Sequence, residues 1–134
     1  GPEDRDYIHE QIKAFNNQAS EHHRPVRRVG PRPLDILAHD GRGHLVGGLI
    51  GSTYWGWLEV KDLWLDEEVR GRGYGRQLVS MAEEEARARN CSRVVLRTFS
   101  FQARGFYEKQ GYRVVGKLAD YPPGETFYWM RKDL

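Results

Sequence analysis

The sequence has a single cysteine, Cys91, and no apolar run approaching the roughly 20 residues a membrane-spanning helix needs. One thiol cannot close an internal disulfide. That excludes a disulfide-stapled extracellular scaffold and makes a reducing interior, the cytoplasm, the expected compartment. No sign of charge dominates either, since 21 basic residues face 19 acidic ones for a net of +2. A sustained basic track is thereby excluded, and neither nucleic acid nor a membrane is expected as a partner. Histidine is sparse, and His22 and His23 are adjacent, which is poor geometry for ligating one ion, so no metal site is expected. No histidine lies near Cys91 in sequence, so it reads as a half-buried packing residue after a helix end rather than as a nucleophile.

What is present is one domain's worth of chain: 134 residues, 39% hydrophobic and 30% charged, expected to form a single domain over 1–134. Gly1-Pro2 matches the scar a tag protease leaves, so residues 1–5 are expected to be a disordered start. Ile8, Ile12 and Phe15 have helical spacing, predicting an amphipathic helix from Asp6 that ends near Asn16-Asn17. Residues 21–33 hold three of the six prolines and read as a loop that could border a substrate entrance. "LDILAHD" and "HLVGGLIGSTYW" flank Asp40-Gly41-Arg42-Gly43 and read as a hairpin, with "WLEVKDLWLD" as a third strand. Its alternation slips between Val60 and Leu63, as at a β-bulge.

From Gly73 to about Asn90 the period becomes helical, with Leu78, Val79, Ala82 and Ala86 on one face. "SRVVLRTF" is a β-branched strand, "FQARGFYEKQ" a short helix stopped by Gly111, and "YRVVGKL" and "TFYWMRKDL" are closing strands. The order predicts an α/β (α+β) fold: a mixed, mostly antiparallel central sheet flanked by helices.

Between the third strand and the long helix stands "EEVRGRGYGRQLV". A bare turn at a helix start exposes unpaired N–H groups at the positive end of the helix dipole, which suits an anion. Spacing separates three phosphate-binding patterns. The dinucleotide fingerprint fails because the third glycine comes one residue early, and the P-loop fails because neither its lysine nor its hydroxyl is present after these glycines. R-x-x-G-x-G remains, as Arg70, Gly73 and Gly75. The plain alternative is an Arg/Gly-rich turn that merely starts a helix.

The segment "LWLDEEVRGRGYGRQLVSMAEEEA" resembles the acetyl-CoA-binding motif of the GNAT N-acetyltransferase superfamily, in which R/Q-x-x-G-x-G/A cradles the coenzyme pyrophosphate. "SFQARGFYEKQGYRVVG" resembles the family's later helix-and-strand motif, and the similarity runs from about Gly47 to Lys132. Two departures stand out. Ser100 occupies a position where an asparagine is common, with Gln102 as a substitute, and no first strand precedes Tyr7.

The resemblance implies the GNAT fold, acetyl-CoA as co-substrate and an amine of a small molecule or protein as acceptor. Transfer would be direct within a ternary complex, by a monomer or homodimer. It implies that the coenzyme lies along Leu63, Trp64 and Leu65, on the loop Arg70, Gly71, Arg72, Gly73, Tyr74, Gly75 and Arg76, and against Ser100, Gln102, Phe106, Tyr107 and Lys109. The Leu65 amide would donate to the thioester carbonyl and Tyr107 would protonate the leaving thiolate, unless Tyr107 is simply one more packed aromatic. An ammonium must lose a proton before it attacks. Glu59, Asp62 or water alone would take it, and either carboxylate could instead be a solvated strand charge. Tyr54, Trp55, Trp57 and Tyr121 could border the acceptor. A non-catalytic module that binds acyl-CoA or CoA is the alternative function, and a nucleotide-phosphate binder a weaker third.

Overall fold

The structure, a computed structural model, describes residues 1–21 and 30–134. His22-His23 and the arginines Arg24, Arg27 and Arg28 lie outside the described residues. The chain divides into two units, Gly1–Arg32 and Pro33–Leu134.

The first unit holds helix α1, Pro2–Ala19, which starts four residues before the expected Asp6 and runs past Asn17. Proline in the first turn costs no hydrogen bond, because that N–H would be unpaired anyway. Glu3 and Asp4 then sit at the positive end of the dipole, with Asp4 3.0 Å from the terminal ammonium. Residues 2–5 are therefore helical rather than a disordered start, with Gly1 as the N-cap.

The second unit carries a six-stranded sheet. Strand β1 spans Arg32–His39, β2 Leu45–Tyr54, β3 Trp57–Leu65, β4 Arg93–Phe99, β5 Arg113–Ala119 and β6 Thr126–Asp133. Helix α2, Tyr74–Ala88, joins β3 to β4, and the short α3, Arg104–Lys109, joins β4 to β5. The spatial order is β1-β2-β3-β4-β6-β5. β3 and β4 run parallel, as a strand-helix-strand crossover requires, while β2/β3, β4/β6 and β5/β6 are antiparallel. The apolar stripe of α2, Leu78, Val79, Ala82 and Ala86, packs with Leu49, Leu58, Val94 and Met130 of the sheet into one core.

Two irregularities open the sheet around β3. The β2/β3 register jumps from Ile50↔Asp62 to Gly51↔Val60, leaving Lys61 as the surplus residue of a bulge. Gly51 is required there, since a Cβ would meet the Glu59 carbonyl oxygen at 2.5 Å. The second irregularity is a parting of strands. β4 pairs with β3 from Trp57↔Arg93 to Val60↔Leu96, after which β3 continues to Leu65 and β4 to Phe99 without pairing each other.

Candidate active site

The exposed edge of β3 faces that opening. Asp66 N–H donates to the Val46 carbonyl at 2.8 Å, so Val46/Asp66 is a hydrogen-bonding position of the antiparallel ladder. Such positions alternate. Gly47↔Leu65 and Leu49↔Leu63 are then the non-bonded pairs, and the backbone polar groups of Leu63 and Leu65 turn away from β2. They point to the side that β4 has left. The Leu65 carbonyl accepts from Arg70 Nε at 3.0 Å, which leaves its N–H as the donor at that edge.

The chain then makes a single 3-10 turn, Glu67–Val69, closed by Glu68 N–H donating to Asp66 Oδ1 at 3.1 Å. The glycines after it do different work. Gly71 and Gly73 have φ of 76° and 83°, in the left-handed region that costs a side chain strain, and nothing lies within 4 Å of where their Cβ would stand. Gly75 is buried and its missing Cβ admits Phe106, whose ring would be 3.3 Å away. Helix α2 has no side-chain cap at Gly73 and no acid in its first turn. Its first internal bond runs from Gln77 N–H to the Gly73 carbonyl, so the N–H groups of Tyr74, Gly75 and Arg76 have no intrahelical partner. Arg72 and Arg76 stand exposed around them. This cradle of donors, with no carboxylate in the helix's first turn, fits a diphosphate. The β3 edge beside it fits an extended amide-bearing arm.

The other expected coenzyme residues divide. Phe106 closes on Gly75, while Lys109 is exposed at the far end of α3. Ser100 is engaged elsewhere: its hydroxyl donates to Glu125 Oε2 and accepts from Thr126 N–H, tying the β4 end to the loop before β6. Gln102 Oε1 accepts from Phe99 N–H at 3.0 Å and from the Thr98 hydroxyl at 3.3 Å, capping the same turn.

Tyr107 lies in α3 with 7% of its surface exposed, edge-on to Phe106 at 5.1 Å and Tyr112 at 5.6 Å. Burial and then the negative charge of Asp62 push its hydroxyl up to about 12, so it holds its proton throughout the physiological range. Asp62, whose charge Tyr107 senses, is part of the lining of the cavity that fills the opening, and Tyr107 itself is not.

The cavity has a volume of about 770 Å³. β3 contributes Glu59, Lys61 and Asp62, β4 contributes Arg97 and Phe99, and Tyr121, Phe127 and Trp129 close the other side. A second hollow of about 250 Å³ adjoins it and shares Glu59, Val60, Arg97 and Trp129. Tyr54 donates its hydroxyl proton to Glu59 Oε2 at 2.7 Å, fixing that carboxylate.

Glu59, Asp62 and Tyr121 line the larger hollow, and Tyr54 lines the smaller one with Glu59. Trp55 and Trp57 do not join them: Trp55 occupies the β2/β3 turn with φ of 55°, and Trp57 lies under the guanidinium groups of Arg131 at 5.0 Å and Arg93 at 5.7 Å. Arg97, Phe99, Phe127 and Trp129 were not expected from the sequence. Alternation within "SRVVLRTF" and "TFYWMRKDL" puts each set on one face, but only the pairs Arg97↔Trp129 and Phe99↔Phe127 bring them together. Among the described residues no group of three or more His, Cys, Asp or Glu could hold a metal ion, and no helix is long and apolar enough to cross a membrane.

Known proteins agree with this geometry. The sequence model of the acetyltransferase (GNAT) family matches residues 4–112. Blasticidin-S acetyltransferase of Streptomyces morookaense is 39% identical over 130 residues, covering 92% of this chain and 96% of that protein. An acetyltransferase of Agrobacterium fabrum is 37% identical over 101 residues, covering 75% of this chain and 74% of its own. The crystal structure of an acetyltransferase from Bacillus cereus ATCC 14579 superposes with a TM-score of 0.84 at 32% identity, over 96% of this chain and 90% of that one. A parted β3/β4 pair beside an acid-free helix start is what such an enzyme would need, and the chain belongs to the acetyltransferase (GNAT) family, transferring acetyl groups to amines.

Proposed function

We propose that the protein acetylates a primary amine of a small molecule held in the cavity between β3, β4 and β6, and that Leu65, Tyr107 and Glu59 carry the transfer. The observation supporting this is the open β3 edge, which borders both the helix-start cradle and a cavity lined by a fixed carboxylate. Acetyl-CoA, when bound, supplies the acetyl thioester. Amide groups of residues 71–76 and the side chains of Arg72 and Arg76 hold its phosphates, and the β3 edge aligns its arm. The Leu65 N–H donates to the thioester carbonyl oxygen, where negative charge grows as the amine attacks.

Glu59, held by Tyr54, takes the proton that the ammonium must lose, directly or through water. The nitrogen sheds its second proton to solvent as the amide forms, while Tyr107 gives its own proton to the departing sulfur, forming the thiol, and recovers one from solvent. A phenol raised to about 12 is a reluctant acid but a reliable store of a proton. A small acceptor is favoured because the cavity is of ligand size and the Streptomyces relative is named for blasticidin S. Because the relatives are named as enzymes, a module that only holds coenzyme is not favoured.

The test combines binding and turnover. Acetyl-CoA at a hundred times its Kd should stabilise the protein by about 2.7 kcal/mol. Amine-bearing antibiotics should release free thiol, and Tyr107→Phe should lower kcat by about a hundredfold with KM for acetyl-CoA little changed. Unchanged kcat in that variant would remove Tyr107 from its role.

A further inference from the structure

The cavity carries acids and bases in equal number, Glu59 and Asp62 against Lys61 and Arg97. Removing a proton from an ammonium explains the acids. It does not explain the bases, since two cations repel the ammonium that must enter. Nor are they there to neutralise the acids. Glu59 takes its hydrogen bond from the uncharged Tyr54 hydroxyl, and none of the ion pairs among the described residues joins Arg97 or Lys61 to either carboxylate.

Arg97 is the better placed of the two cations. It lines both hollows, and its charge is felt at the Tyr54 hydroxyl, so it stands close to the Tyr54–Glu59 pair without bonding the carboxylate. Its cross-strand neighbour is Trp129, which meets Phe127 edge-on at 4.6 Å, and Phe127 in turn meets Phe99 at 5.1 Å. Arg97 therefore shares its two hollows with a carboxylate and an aromatic wall. Lys61 is the extra residue of the bulge, so an irregularity in the strand is what adds the second cation to the lining.

We propose that the acceptor is an amino-carboxylate bearing a flat ring: its ammonium lies at Glu59 and Asp62, its carboxylate on Arg97, and its ring against Trp129 and Phe127. Two acids and two cations make a lining of no net charge, which matches a zwitterion and disfavours both a polycation and a phosphate ester. The planar fork of a guanidinium suits the two oxygens of a carboxylate. Arg97 is thus a specificity-determining residue. This inference rests on the transferase reading above and narrows it.

The experiment uses the intact chain, acetyl-CoA and thiol release. Phenylalanine, 3-amino-3-phenylpropanoate and 4-(aminomethyl)benzoate, which grade the spacing of amine and carboxylate, are each compared with their own carboxamide. At least one acid should exceed its amide by about tenfold or more in kcat/KM. Arg97→Gln should bring that ratio close to one by lowering the acid's value alone, and Arg97→Lys should restore part of it. Equal use of acid and amide, or a preference that survives Arg97→Gln, overturns the proposal. Turnover of polycationic amines with no turnover of any acid also overturns it and leaves the transferase standing. No turnover of any amine, with no stabilisation by acetyl-CoA, strikes both.

Discussion

Tyr107 shows how one side chain's burial sets both its chemistry and its cost. A phenol whose ordinary value is 10.0 and whose folded value is about 12 binds its proton more tightly folded than unfolded. That difference fixes the sign. The stabilisation is fully present below pH 10, falls as pH rises from about 10 toward 12, and is lost above that. Tyr107→Phe removes the titrating group. Urea melts at pH 9 and pH 11 should therefore show the variant losing less stability over that interval than the parent, by about 1 kcal/mol. Equal losses would mean that the Tyr107 hydroxyl is not held in its neutral form by the fold.

At the scale of elements, the start of α2 is the proposed anion site, because the sequence leaves it uncapped and free of acids in its first turn. Stability and binding should then move in opposite directions. Arg76→Glu places a carboxylate in the first turn, where the dipole favours it by about 0.3–1 kcal/mol, so the ligand-free protein should melt slightly higher. The same carboxylate should repel phosphates and shrink the stabilisation that acetyl-CoA confers. Arg76→Gln, which removes charge without adding any, should weaken binding less and leave the melting temperature nearly unchanged. If both variants keep the full acetyl-CoA shift, the diphosphate lies elsewhere.

Much of this element is legible in the sequence. The glycine spacing, the switch of period at Gly73 and the slip between Val60 and Leu63 all appear as backbone features, because each is written in consecutive residues. The start of α1 is not, because Gly1-Pro2 matches a protease scar as well as it matches a helix-initiating proline. The aromatic wall of the cavity is hidden for a different reason. Arg97, Phe127 and Trp129 meet only through cross-strand register and the parting of β3 from β4, and no local pattern in a single strand carries that information.

At the scale of the whole sheet-bearing unit, what joins α2, the entry to β5 and the end of β6 is a buried acid. Glu83, 5% exposed, accepts from Tyr112 Oη at 2.9 Å and from Lys132 Nζ at 2.8 Å. The two donors differ in kind. Tyr112, pushed well above the ordinary phenol range chiefly by burial and then by Glu83, offers a neutral hydroxyl, whereas Lys132 offers the balancing charge. Lys132 also packs its stem near Gly111 and holds its ammonium 5.6 Å from the Tyr112 ring centre, so Lys132→Met could destabilise through packing or through charge.

A second substitution separates the two causes. Removing one partner of a buried pair leaves an uncompensated charge and costs about 3 kcal/mol, which in a chain of this size is a fall of roughly 10 °C in Tm. Glu83→Gln keeps the shape and an acceptor for Tyr112 while deleting the charge. If charge is the cause, Lys132→Met with Glu83→Gln should be more stable than Lys132→Met alone, with a coupling of about 2 kcal/mol in a double-mutant cycle. If the cycle closes to zero, the three elements are held by the apolar core alone and the acid is incidental to their assembly.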